Sequence, residues 1–327
     1  MSSRQNPTSK STRIRVGLTI GDPSGVGPAV TLKAVNALKG LADFVVIGDS
    51  WVLGKTQNPR LGTQNFKLVD LNNIDHKNFS FGKVRAEYGR ASVEYLDKAM
   101  ELIREKMIDC LVTAPISKEA INLAGYRYSG HTEYLKEKGR AKDIVMLLLN
   151  DRLRFALATR HIPLNKVSSK ITRGTLKKTI LITHKSLQEL FAIRNPRIVI
   201  CGLNPHASDN GVIGREENKV IKPVARKLRR VIKNLEGPIT ADVAIYRLMS
   251  GRYDCAIAMY HDQALIPLKL SGFDTGVNMT LGLSFVRTSP LHGTAFDIAK
   301  SNLLAIPSSM IAAVKLAIKC TRNLKKA

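Results

Sequence analysis

Short apolar runs alternate along this chain with helical patterns, and that alternation limits it to one broad architecture. Runs that read as strands stand at RVGLTI (15–20), FVVIG (44–48), DCLVTA (109–114), IVMLLL (144–149), RFALAT (154–159), RIVICGL (197–203), DCAIAMY (254–260) and SFVRT (284–288). Helical periodicity falls between them at about 28–39, 88–107, 173–192, 215–234 and 307–319. Most of the strands are continuously apolar rather than alternating, which predicts largely parallel sheets covered on both faces, an α/β chain. A length of 327 residues exceeds what one hydrophobic core usually serves, so two lobes with a cleft between them are expected. No internal repeat or low-complexity linker separates the lobes, so they are expected to exchange chain segments. The expected division is a disordered basic tail at 1–13, a first lobe from 14–130 plus 290–327, and a second lobe at 131–289 that carries the metal and substrate motifs.

No apolar run approaches the roughly 18–20 residues that cross a bilayer, so no membrane partner is expected. Residues 1–13 carry Arg4, Lys10 and Arg13 but no apolar core of a signal peptide, and a cytoplasmic protein is expected. Cys110, Cys201, Cys255 and Cys320 are far apart and mostly in apolar stretches, which predicts reduced core thiols. The formal charge of +25 would attract phosphorylated metabolites and, at low salt, nucleic acid. Aromatic residues make up only 6% of the chain and do not interleave with the basic runs. No helix-turn-helix, RRM or zinc-knuckle pattern is present either, so a dedicated nucleic-acid reader is not expected. The densest basic stretch, 222–234, reads as a solvated helix face with Lys222, Arg226, Arg230 and Lys233 outside and Val224, Leu228, Val231 and Ile232 on the apolar side.

Polar motifs interrupt this framework. In GDPSGVGPAV (21–30), Gly21, Gly25 and Gly27 permit close approach of backbone to a ligand, but the spacing is not the dinucleotide fingerprint, and Asp22 either acts there or caps the helix. VTAPISKEAINLAG and YRYSGHTEYL (112–135) bring Lys118, His131 and Thr132 onto element ends, a donor set that suits a phosphate. Three of the seven histidines follow strand runs: ATRHIPL with His161, GLNPHA with His206 and AMYHDQ with His261. Their spacings of 45 and 55 residues exclude a local finger, so a shared ion has to be gathered from separate strand ends. Neutral imidazoles favour Zn²⁺ or Co²⁺, and three protein ligands leave positions open for a substrate. Asp262 either orients an imidazole, moves a proton or stands in a turn. Lys269, Asn278 and Arg287 recur nine residues apart, an ammonium, an amide and a forked guanidinium that suit a carboxylate and a phosphate.

Nine ordered motifs carry a resemblance: TIGDPSGVGP, VTAPISKEAI, YSGHTEYL, ATRHIPL, GLNPHA, GPITADVA, MYHDQALIPLK, GVNMTLGLSFVRTS and HGTAFDIA. From about residue 14 to about 300 the chain resembles the 4-hydroxythreonine-4-phosphate dehydrogenase (PdxA) family of vitamin B6 biosynthesis. The resemblance implies an isocitrate/isopropylmalate dehydrogenase-like α/β fold, two α/β/α lobes with a cleft between them, and a homodimer with the active site near the subunit interface. It also implies NAD-dependent oxidation of 4-phosphooxy-L-threonine, with loss of CO₂, to 3-amino-2-oxopropyl phosphate. His161, His206 and His261 would hold the divalent ion (Zn, Mg or Co), shared between subunits. His131, Thr132, Lys269, Asn278 and Arg287 would bind substrate, with Asp262 and Lys269 as the catalytic pair. His292, Gly293 and Asp297 resemble a cofactor loop. Related enzymes acting on threonate or erythronate 4-phosphate are the alternative. The chain departs from the family pattern at Ala29, where Glu is usual, at Arg215, where the family tends to a smaller or neutral residue, and at Lys300–Ser301 after HGTAFDIA.

Overall fold

A computed structural model describes residues 13–56, 65–128, 130–301 and 304–326; apart from residue 13, the expected basic tail lies outside the described residues. Among the described residues eleven strands are formed: β1 (Arg15–Thr19), β2 (Asp43–Gly48), β3 (Phe66–Asp70), β4 (Cys110–Thr113), β5 (Val145–Leu149), β6 (Arg154–Leu157), β7 (Ile198–Cys201), β8 (Leu235–Ile239), β9 (Cys255–Ala258), β10 (Val277–Leu281) and β11 (Val286–Pro290). The helices are α1 (Gly27–Ala37), α2 (Ser50–Thr56), α3 (Ala86–Arg104), α4 (Lys118–Leu123), α5 (His131–Lys138), α6 (Val167–Lys170), α7 (Arg173–Glu189), α8 (Lys222–Leu228), α9 (Ala241–Met249), α10 (His261–Ser271) and α11 (Ser308–Leu324).

All eleven strands join one sheet in the order β3-β2-β1-β4-β11-β10-β5-β6-β9-β7-β8, where the sequence suggested more than one. The α/β class holds. Two blocks, β3-β2-β1-β4-β11 and β6-β9-β7-β8, are internally parallel. Between them the pairs β11–β10, β10–β5 and β5–β6 are antiparallel. The first block takes the chain back at Val286 through β11, four residues ahead of the expected 290. Three strands escaped the sequence reading, each for a physical reason. β3 is a half-exposed edge strand, β8 contains Gly237 and Pro238 and also lies at an edge, and β10 alternates apolar with polar residues.

Successive residues of a strand face opposite sides, and here they feed two cores. Leu147, Leu149, Ile198, Ile200 and Ile257 join Leu176 and Ile180 of α7 and Val224 and Leu228 of α8. Met146, Leu148, Val199, Cys201 and Ala256 join Ala244 and Leu248 of α9 and Ala264 and Leu268 of α10. Burying each larger aliphatic side chain contributes about 1.5–3 kcal/mol, so this double cover fixes the sheet between its helices. The four cysteines are buried and free, and burial pushes each thiol up to about 12. One expectation fails at the basic helix: α8 stops at Leu228, the chain changes phase, and Val231 is 69% exposed rather than packed. Among the described residues no helix is long and apolar enough to cross a membrane.

Candidate active site

The polar alternation of β10 has a purpose. β10 and β11 are antiparallel, with Asn278 opposite Ser289 and Thr280 opposite Arg287, so these four side chains share one face while Val277 and Met279 enter the core on the other. Asn278 and Arg287 line a cavity of about 300 Å³ with Lys118, His131, Thr132 and His161. Arg287 is 1% exposed. Its Nη1 donates to Thr280 Oγ1 at 3.0 Å and its Nη2 to Thr113 Oγ1 at 2.6 Å, two hydroxyls in place of a carboxylate. Burial lowers its pKa to about 9, and Glu133 opposes that shift, so it remains a cation at neutral pH. Glu133 itself bonds Arg160 at 3.2 Å.

Among the described residues four buried polar atoms around this cavity have no protein partner: Arg287 Nε, His131 Nε2, Asn278 Oδ1 and His292 Nε2. Each costs about 1–3 kcal/mol unless water or a ligand meets it. Burial first, and then the charge of Arg287, push the His131 imidazole well below its ordinary pKa against the Ala114 carbonyl, so the ring is neutral. Together these groups could receive an anionic, hydrogen-bonding ligand.

The histidines follow from register. β6 and β9 are parallel with Leu157 beside Ala258, so His161 and His261, a few residues past those ends, meet with ring centroids 5.4 Å apart. His161 lies in the left-handed region at φ 48, a conformation that non-glycine residues keep only where the surroundings enforce it. Burial, then Lys118, then His261 lower its pKa, which keeps the ring a neutral donor. Asp262 Oδ1 lies 2.7 Å from His261 Nδ1 and leaves Nε2 free to bind. His206 stands past β7, one strand further along, in a left-handed run from His206 to Asn210. Its loop is pinned by buried Glu217, which accepts from the Leu203 and Asn204 amides at 2.8 Å each. One chain does not assemble the expected triad: among the described residues no group of three or more His, Cys, Asp or Glu is gathered for a metal. The pair that does form, one ring neutral and one oriented by a carboxylate, suits a borderline divalent ion.

Lys269 does not line the Arg287 cavity. It lies near the end of α10 with Nζ 5.1 Å from the Phe273 ring centroid, in a mainly apolar cavity of about 190 Å³ shared with Val26, Leu304, Ile306 and His292. His292 thus borders both spaces, Gly293 borders the polar one, and Asp297 is exposed. Asp22 is fully buried: its Oδ1 accepts from the Ser24 amide at 2.9 Å, and burial, opposed by the Ser24 and Ser117 backbone, raises its pKa to about 7. Gly21 beside it has φ 72, and a Cβ there would collide with the Pro115 carbonyl, so the first glycine motif is packed directly on the second motif. The sequence reading missed Thr113 and Thr280, which hold Arg287, Glu217, which pins the His206 loop, and Glu133, which lines the cavity bonded to Arg160; the polar alternation of VNMTL was the one available signal for Thr280.

The chain is similar to known proteins along nearly its whole length. A 4-hydroxythreonine-4-phosphate dehydrogenase of Sulfurihydrogenibium sp. is 42% identical over 94% of this chain and 99% of its own length. A putative D-threonate 4-phosphate dehydrogenase of Oceanobacillus iheyensis is 36% identical over 93% of this chain and 97% of its own. The crystal structure of the 4-hydroxythreonine-4-phosphate dehydrogenase from Klebsiella pneumoniae superposes with a TM-score of 0.85 at 32% identity, covering 96% of this chain and 99% of that one. The model of the pyridoxal phosphate biosynthetic protein PdxA matches residues 30–317, and the chain belongs to that family.

Proposed function

We propose that the chain catalyses NAD-dependent, divalent-metal-dependent oxidation and decarboxylation of 4-phosphooxy-L-threonine to 3-amino-2-oxopropyl phosphate, in pyridoxal phosphate biosynthesis. The observation that carries this reading is the set of partnerless buried polar atoms on Arg287, Asn278, His131 and His292 beside His161. Such a cavity matches a phosphorylated hydroxy-acid in size and polarity. Arg287 and Asn278 anchor the substrate from the sheet, and His131 and Thr132 hold it from the start of α5. His161 and His261, with His206, are the residues that would hold the ion. A bound divalent ion supplies polarisation of the substrate hydroxyl and of the carbonyl that replaces it, and NAD supplies hydride acceptance. Asp262 holds the proton at His261 Nδ1 and fixes the ring. Lys269 takes part in proton transfer only once its ammonium leaves the Phe273 ring. His292, Gly293 and Asp297 face the cofactor, and the apolar cavity behind His292 excludes water from that side.

The homodimer expected from the family resemblance is supported by an exposed apolar face. Tyr246 and Met249 of α9, Ile266 and Leu270 of α10, and Phe273 all lie open to solvent. A second copy covering this face also offers the route by which the histidine triad is completed from two subunits.

The test is NADH formation by the purified protein with a divalent ion and each candidate acid. Turnover of 4-phosphooxy-L-threonine is expected. A large preference for threonate 4-phosphate would instead select the second reading, favoured by relatives named for that activity. Failure with both acids would refute both.

A further inference from the structure

Lys118 has a place that the site above leaves unexplained. It opens α4 directly after Ser117, whose hydroxyl accepts from the Ala120 amide at 3.1 Å, so its backbone is fixed while its side chain is exposed. That side chain lines the cavity of His131, Thr132 and Arg287. It passes over Gly130, where a Cβ would stand 3.8 Å from Lys118 Cε. Gly130 precedes α5 with φ 147 and offers the helix no side-chain cap. The first-turn amides of this eight-residue helix are therefore open to an anion, with the positive end of the helix dipole behind them.

The charges around the cavity are unbalanced. Among the described residues, neither Lys118 nor Arg287 enters an ion pair. The one lining carboxylate, Glu133, is bonded to Arg160. Arg287 has two nitrogens committed to threonine hydroxyls and is locked in the sheet, so it can meet one anionic group from one direction. A phosphorylated hydroxy-acid brings two such groups, and its phosphate is close to a dianion at neutral pH. A compact ammonium on a flexible stem suits that group.

We propose that Lys118 is a substrate-binding residue that selects the phosphorylated form, its ammonium holding the phosphate against the uncapped first turn of α5. The assignment rests on the reading of the substrate as a phosphorylated hydroxy-acid. Titration calorimetry on the full-length protein tests it, with 4-phosphooxy-L-threonine, its unphosphorylated parent and inorganic phosphate as ligands. Lys118→Met is expected to weaken the phosphorylated acid and inorganic phosphate by about 10- to 100-fold, the worth of one charge-assisted hydrogen bond, and to leave the parent acid nearly unchanged. Lys118→Arg is expected to recover most of the loss, and both variants should keep the wild-type unfolding midpoint. Equal weakening of phosphorylated and unphosphorylated acids would overturn the assignment, as would unchanged binding of both phosphorylated acid and phosphate. Wild-type protein that binds inorganic phosphate in a Lys118-dependent way, yet turns over neither candidate acid, would sustain the lysine and refute the substrate reading.

Discussion

At the start of β1 the Arg15 amide, Nε and Nη2 donate to Asp109 at the head of β4, at 2.8, 3.2 and 3.0 Å. At the start of β7, Arg197 makes the same three bonds to Asp254 at the head of β9, at 2.8, 3.1 and 2.8 Å. One clamp stands in each parallel block, built from RVGLT with DCLVT and from RIVIC with DCAIA. Arg287 lies in β11, beside the antiparallel strands that join the blocks, and has hydroxyls in place of an aspartate. The same side chain is thus used in two ways: with its carboxylate supplied it ties strands together, and with no carboxylate among the described residues it keeps an unpartnered Nε beside the polar cavity.

The strongest way to break this comparison is Arg287→Met. Removing a buried charge that a ligand pairs costs about 2–5 kcal/mol of binding, so kcat/KM should fall by about 30- to 5000-fold. The unfolding midpoint should hold or rise, because a desolvated cation without a partner is lost. Normal kinetics, or a large loss of stability, would show Arg287 to be a clamp after all. Asp109→Ala and Asp254→Ala should behave in the opposite manner, each losing about 2–3 kcal/mol of stability in denaturant titration with activity per folded molecule unchanged. Next in size is Asp262→Ala, which removes the group orienting His261 and should weaken divalent-ion binding about 10- to 100-fold by competition with a chelator.

The smallest effects sharpen the contrast through pH. Bonds from Arg15 and Lys325 outweigh desolvation and hold Asp109 down at about 2 from its ordinary 3.8. Its contribution is present above 3.8 and lost as pH falls through about 2, so the acid limb of the stability curve should flatten in Asp109→Asn. Asp22 runs the other way. Its folded pKa is raised to about 7, so its contribution is full below 3.8 and lost as pH rises through about 7. Asp22→Asn should gain stability relative to wild type between about pH 4 and about pH 8 and stay level beyond. A constant difference across that range would show that Asp22 is charged in the folded protein.

Much of this was legible in the sequence, and the rest failed for identifiable reasons. Continuously apolar strands announced the doubly covered sheet because burial on both faces leaves no polar position. β10 stayed hidden because Asn278 and Thr280, turned to the cavity, gave it the look of a polar segment. The nine-residue recurrence of Lys269, Asn278 and Arg287 suggested a single constellation, but only the last two are cross-strand neighbours, and α10 carries Lys269 to the adjoining cavity. The histidine motifs were visible as strand ends, yet which ends meet depends on strand order, and β6 lies beside β9 rather than β7. The clamp template is too short to register as a repeat until the strands are seen paired.

The two halves of the molecule are joined by hydrogen-bonded ribbons through β11, β10, β5 and β6. Any flexing of one half against the other therefore has to be absorbed as added twist along that seam. Asn278 and Arg287 are mounted on the seam itself, while His161 and His261 ride on the half beyond it. The position of Asn278 and Arg287 in the cavity wall and the angle between the halves are thus set by the same few backbone bonds.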